Sequence, residues 1–314
     1  MEFNMDFETK FYSAGIPLAA TIHVPDDGLF DQPESMYRVP DSFQNAANKY
    51  PMVILCHGQM RQRNEGLDTL AQRLGEKGFA SLRFDHRGCG SEAVNRYRLR
   101  PATEMRYDTR CAVYFCESLY FIDRGRIGIS GISMGGVMAI MMAATDSRIK
   151  SIAPMGTPAD CGYHARQRWG EEIFELFRED ARINAATGHS RIVSANYDFN
   201  TRKINDPDKC AASMLDSLMF PGNNPYNSVE SIFNLMEYVA MDYVGRVNCP
   251  TFITHGEEDE LLPVWEAEKL YNGLPESNKN KRIKIYPKVI HNIPCCDERE
   301  IVFKDIVDWF LETL

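Results

Sequence analysis

Five consecutive residues, Gly131-Ile132-Ser133-Met134-Gly135, could do chemistry, and a further glycine, Gly136, follows them. A serine set between glycines at a sharp strand-to-helix turn is a nucleophile held above the edge of a sheet. The glycines are needed because a larger side chain would clash where the backbone doubles back. Serine alone is a weak nucleophile. It needs an imidazole as base, and the imidazole needs a carboxylate to orient it. Both lie downstream. His291 ends Tyr286-Pro-Lys-Val-Ile-His291, and Asp259 ends Thr254-His-Gly-Glu-Glu-Asp259. The separations are 259 − 133 = 126 and 291 − 259 = 32 residues. Among the neighbouring carboxylates Glu258 is the closest rival to Asp259, while Glu257, Glu258 and Glu260 read better as solvated. The other downstream histidines are His164, His189 and His255.

Acyl transfer also needs N–H donors aimed at the developing oxyanion. The backbone N–H of Met134, directly after the nucleophile, supplies one. The other should come from the loop after an earlier strand. That loop is His57-Gly58-Gln59-Met60, and Gln59 is the assigned donor, with Met60 the near alternative. His57 reads as a loop-bracing residue, not as the base.

These residues need elements to position them. Strands are expected at Glu8–Tyr12 and Pro17–Val24, turning at Ala14-Gly15. The all-apolar run Met52–Cys56 reads as a buried parallel strand. Further strands are expected at Phe79–Phe84, Arg126–Ile129, Ile149–Pro154, Thr251–Thr254 and Arg282–Tyr286. Helices are expected at Leu67–Lys77, Thr103–Leu119, Met134–Ala144, Val264–Leu270 and Glu300–Glu312. Strands alternating with helices imply a mostly parallel sheet flanked by helices. The alternation stops between Ala159 and Arg246, where helices at Gly170–Arg182 and Val229–Val244 and many aromatic residues suggest a cap. The expected division is a core of 1–158 and 247–314 and a helical cap or lid of 159–246, inserted before the penultimate strand. An apolar, aromatic lid suits a small-molecule pocket, and Arg166, Arg168 and Arg202 could meet an acidic substrate. The polar stretch Asp26–Tyr50 is long for a connection.

Composition bounds the rest. The chain has 314 residues, 44% apolar and 25% charged, with a net charge of 35 − 44 = −9. This excludes low-complexity and wholly disordered chains. The acidic balance argues against nucleic acid, whose phosphates call for Lys and Arg. The interrupted basic stretch from Arg96 to Arg110 reads as a solvated face. The apolar run Val137–Ala144 is far short of the ~20 residues that span a bilayer. The start MEFNMDFETK lacks a basic n-region and an apolar h-region. Nine cysteines at no disulfide or zinc spacing read as reduced thiols in a cytosol, the vicinal Cys295-Cys296 pair included.

The ordered segments Leu55-Cys-His-Gly58, Phe84-Asp-His-Arg-Gly-Cys-Gly-Ser-Glu92, Gly131-Ile-Ser-Met-Gly-Gly136, Thr254-His-Gly-Glu-Glu-Asp259 and His291 resemble a serine hydrolase of the α/β-hydrolase superfamily. Within it they look most similar to the esterase, acyl-peptidase and dienelactone-hydrolase-like branches. The resemblance implies an α/β-hydrolase fold, with Ser133 as nucleophile, His291 as base, Asp259 as orienting acid and a structural role for Asp85. It implies no metal or organic cofactor. The expected activity is cleavage of a carboxylic ester of a small or medium molecule in the cytoplasm. The partner is a small-molecule substrate, with no nucleic acid and no membrane; a homodimer is left open. The same triad could serve a peptidase, a thioesterase or a C–C bond hydrolase, or the fold could bind a ligand without turnover.

Overall fold

The computed structural model describes residues 6–26, 49–59, 61–90, 102–188 and 234–314, and four short strands between 192 and 228. The two N-terminal strands β1 (Asp6–Ser13) and β2 (Ile16–His23) pair antiparallel across the expected turn, with Ala14 and Gly15 both at positive φ. Next come β3 (Tyr50–Cys56), α1 (Leu67–Gly75), β4 (Ala80–Phe84), α2 (Ala102–Ser118), β5 (Ile122–Ile132), α3 (Met134–Thr145) and β6 (Ile149–Met155).

An insertion follows. It holds α4 (Cys161–Trp169), α5 (Glu171–Thr187), β7 (Ile192–Ser194), β8 (Tyr197–Asp198), β9 (Lys203–Ile204), β10 (Tyr226–Ser228), a 3-10 turn at Asn234–Glu237 and α6 (Met241–Val244). The core resumes with β11 (Thr251–Gly256), α7 (Trp265–Gly273), β12 (Lys281–Tyr286) and α8 (Arg299–Thr313).

Eight strands form one sheet in the order β1-β2-β4-β3-β5-β6-β11-β12. From β4 to β12 all neighbours are parallel, and β1 and β2 form an antiparallel edge. The central strand β3 is buried along its whole length because both its faces are covered, whereas the edge strand β12 is only partly buried and carries three basic residues. Helices α2, α3 and α7 bury Val113, Val137, Met141 and Leu270 on one face. Helices α1 and α8 bury Leu70, Leu74, Phe303 and Phe310 on the other. This is the α/β-hydrolase fold, with the insertion ahead of the penultimate strand.

One expected element of the insertion differs from the structure. Beside its helices the insertion carries short antiparallel ribbons, β7 with β10 and β8 with β9. Strands of two or three residues are too short to show alternation. Of the helix expected over 229–244, the described residues 234–244 hold the 3-10 turn and α6. The intervening backbone bonds back to the start of the insertion instead: Cys161 donates its N–H to the Tyr238 carbonyl and Met241 to the Ala159 carbonyl, each at 3.1 Å. The stretch 27–48 lies outside the described residues. Among the described residues no helix is long and apolar enough to cross a membrane.

Candidate active site

Strand β5 runs straight into α3, and Ser133 is the single residue at the corner. Its φ of 54° and ψ of −115° lie where L-residues rarely settle. Packing enforces the corner. A Cβ on Gly131 would sit 2.4 Å from the Gly135 carbonyl, and one on Gly136 would meet Thr157 Oγ1. The Ser133 N–H donates to the Met155 carbonyl at 2.9 Å, tying the turn to the end of β6. Met134 opens α3, so its N–H is among the first of the helix, which lack intrahelical acceptors.

Asp259 and His291 come together as the spacing requires. His291 Nδ1 lies 2.8 Å from Asp259 Oδ2. The other oxygen, Oδ1, accepts the N–H groups of Leu261 at 2.9 Å and Leu262 at 2.8 Å. Burial alone would raise the Asp259 carboxyl, but the hydrogen bond and charge of His291 and the Leu262 N–H hold it below its ordinary range. The ionised acid therefore fixes the imidazole with Nδ1 protonated and Nε2 available as base. Glu258, the rival acid, makes no such contact among the described groups. Glu260 accepts the His291 backbone N–H at 3.2 Å.

Gly156 links this pair to the serine turn. It follows Met155, the acceptor of the Ser133 N–H. A Cβ there would lie 3.6 Å from both Asp259 Oδ2 and the His291 carbonyl, and 3.4 Å from Ile132 Cδ1. Ser133, Asp259 and His291 thus surround the C-terminal ends of β5, β6 and β11, where open α/β sheets place their sites.

The His57–Gln59 loop lies against the serine turn. A Cβ on Gly58 would be 3.5 Å from Ser133 Cβ and from the Ile132 carbonyl. Gln59 follows Gly58 in this loop, while Met60 lies outside the described residues. His57 braces this loop. Its Nε2 accepts the His86 N–H at 3.1 Å, which leaves Nδ1 to donate to the Gly58 carbonyl at 2.6 Å.

Asp85 is structural. Its Oδ1 accepts the Arg63 N–H at 2.7 Å, and its Oδ2 pairs with the Arg63 guanidinium. That guanidinium also reaches Thr21 Oγ1 at 3.1 Å and Glu8 Oε2 at 2.8 Å. Arg63 thereby clamps the loop that carries Gln59 onto β1, β2 and the end of β4. Sequence reading missed Arg63 because its partners lie 22, 42 and 55 positions away. It also missed Glu266, wholly buried in α7, whose Oε2 accepts the Ala159 N–H at the start of the insertion at 2.7 Å.

Of the three cap arginines, Arg166 pairs with Glu171 at 3.2 Å; the Arg168 side chain and Arg202 lie outside the described residues. The eight described cysteines are free thiols. Burial raises both Cys295 and Cys296, which makes them poor thiolates. Among the described residues no three His, Cys, Asp or Glu side chains are grouped to hold a metal ion.

The profile of the serine aminopeptidase S33 family (Hydrolase_4) matches residues 47–298. The chain belongs to this family of α/β-hydrolases. Among its relatives are an uncharacterised 31.7 kDa protein of Escherichia coli, 27% identical over 77% of this chain and 83% of that one, and a monoacylglycerol lipase of Mycolicibacterium smegmatis, 23% identical over 84% and 89%. A soluble variant of the monoglyceride lipase of Saccharomyces cerevisiae superposes with a TM-score of 0.71 at 18% identity, covering 100% of this chain and 97% of that one.

Proposed function

We propose that this α/β-hydrolase cleaves carboxylic esters of small or medium organic molecules through Ser133, His291 and Asp259. The observation that carries the reading is the 2.8 Å contact between His291 and an ionised Asp259, together with a serine held at positive φ where β5 turns into α3. In this mechanism His291 Nε2 takes the Ser133 hydroxyl proton as Oγ attacks the carbonyl carbon. The oxyanion forms at the N–H groups of Met134 and Gln59. His291 then gives its proton to the departing alkoxide. Water, activated by the same imidazole, releases the acid and restores Ser133. Asp259 remains ionised throughout and stabilises the imidazolium. The insertion, residues 159–246, acts as the cap that selects the substrate. The free thiols support a reducing, cytoplasmic setting.

The monoacylglycerol lipase among the relatives supports an ester over other acyl bonds. The family description, an aminopeptidase, favours amide cleavage as the second reading. Initial rates on p-nitrophenyl esters of rising acyl length, beside aminoacyl p-nitroanilides, separate the two. Ester turnover that disappears in Ser133→Ala supports the proposal, and turnover confined to the anilides replaces it with the second reading. A folded protein inactive on both sets and unlabelled by a fluorophosphonate at Ser133 would sink them together.

A further inference from the structure

His255 is the penultimate residue of β11, four residues before Asp259, and is wholly buried. Its Nε2 lies 2.9 Å from the Leu262 carbonyl oxygen and 3.5 Å from Asp259 Oδ2, the oxygen that receives His291. Its Nδ1 is buried with no hydrogen-bond partner. These positions fix the tautomer. A proton on Nδ1 would be a buried donor without an acceptor, and the Nε2 lone pair would then face two oxygens. A proton on Nε2 satisfies the Leu262 carbonyl and turns its positive edge towards the Asp259 carboxylate.

The same short turn is thus gripped from two sides. Asp259 Oδ1 holds the N–H groups of Leu261 and Leu262, and His255 holds the Leu262 carbonyl. Closing the turn keeps the Asp259 carboxylate in one rotamer, with Oδ2 towards His291. We propose that His255 is a positioning residue, whose Nε2–H shuts the 259–262 turn and so aims Asp259 at the His291 imidazole. The proposal rests on the Ser133–His291–Asp259 reading.

The titratable groups around His255 are Asp259 and His291, with Glu260 on the His291 backbone. Burial pushes the His255 ring down, and the charge of His291 pushes the same way, against the Leu262 carbonyl and Asp259. The balance holds the ring towards its neutral form, in which Nε2 carries the single proton.

Phenylalanine keeps the ring's shape and removes the donor, while glutamine places an amide N–H near the former Nε2. In His255→Phe the carboxylate loses its aim and supports the imidazolium less. We expect kcat to fall about tenfold, KM to hold, and the acid limb of the kcat/KM profile to move to lower pH. His255→Gln should restore both rate and limb. A purely structural role would lower Tm without moving the limb. A His255→Phe enzyme with kcat within about twofold of wild type, or with its limb unmoved or raised, overturns the proposal. So does a glutamine variant that fails to restore the limb.

If the phenylalanine variant does not fold, the wild-type ring decides. A long-range 1H–15N spectrum at neutral pH must show an Nε2–H tautomer. An Nδ1–H tautomer overturns the proposal. Fluorophosphonate labelling of Ser133 separates the two failures. An unlabelled serine condemns the hydrolase reading, whereas a labelled, active enzyme indifferent to His255 condemns this inference alone.

Discussion

The Cα of Gly135 faces the carbonyl oxygen of Cys56 so closely that a Cβ on the glycine would lie 2.1 Å from it. The end of β3 and the first turn of α3 therefore touch backbone to backbone, which brings the His57–Gln59 loop beside Ser133. The obstacle is backbone, so no side-chain rotation relieves it. We expect Gly135→Ala to cost about 3 kcal/mol or more, the upper range for overpacking, seen as a large drop in Tm. An unchanged Tm would mean that α3 can lift from β3 freely.

Asp259→Asn should remove most of the hydrolytic turnover, by about four orders of magnitude in kcat, because the amide favours the wrong imidazole tautomer. The stability effect depends on pH. The Asp259 carboxyl is lower in the fold than its unfolded value of about 3.9. Its contribution is thus complete above that value and fades as pH falls through the folded one. Urea unfolding of both proteins between about pH 3 and 7 should show wild type losing its margin at the acid end. A margin constant with pH would contradict the lowered carboxyl.

Arg63→Met leaves the nearly buried Asp85 carboxylate without its cation. Removing one partner of a buried pair costs about 3–5 kcal/mol. We expect that loss in denaturant unfolding, and a fall in kcat because the loop bearing Gln59 loses its clamp. Glu8→Ala removes a partner whose side chain is 63% exposed, so it should cost under about 1 kcal/mol. Equal losses for the two variants would show that Arg63 is not held chiefly by Asp85.

Burial raises the Glu266 carboxyl, and its Oε1 has no hydrogen-bond partner. A raised folded pKa means that the stabilising contribution is whole below the unfolded value of about 4.3 and is lost as pH rises through the folded value. Glutamine keeps an acceptor for the Ala159 N–H and carries no charge. Tm measured against pH should show wild type falling relative to Glu266→Gln from about pH 4 upwards and then running parallel. A difference independent of pH would refute the raised carboxyl.

Much of this molecule is legible in its residues. The alternation of strands and helices and the Gly-x-Ser-x-Gly corner are local patterns, each set by neighbours within a few positions, and the order Ser133, Asp259, His291 is read directly along the chain. The hydrogen bond between His291 and Asp259 follows from two loops leaving adjacent strands in the same direction. Tertiary structure decided what depends on distant chain meeting in space. Arg63 finds Asp85 and Glu8 because β2 and β4 pair at the sheet edge. Glu266 meets Ala159 across 107 positions, and its burial is a property of the packed neck, not of its own segment. The ribbons of the cap form between stretches too short to carry a period. His255 lies between these cases. Its spacing of four from Asp259 is visible in the sequence, but only the closed 259–262 turn shows which nitrogen bears the proton, because a tautomer is set by the partners that folding brings to it.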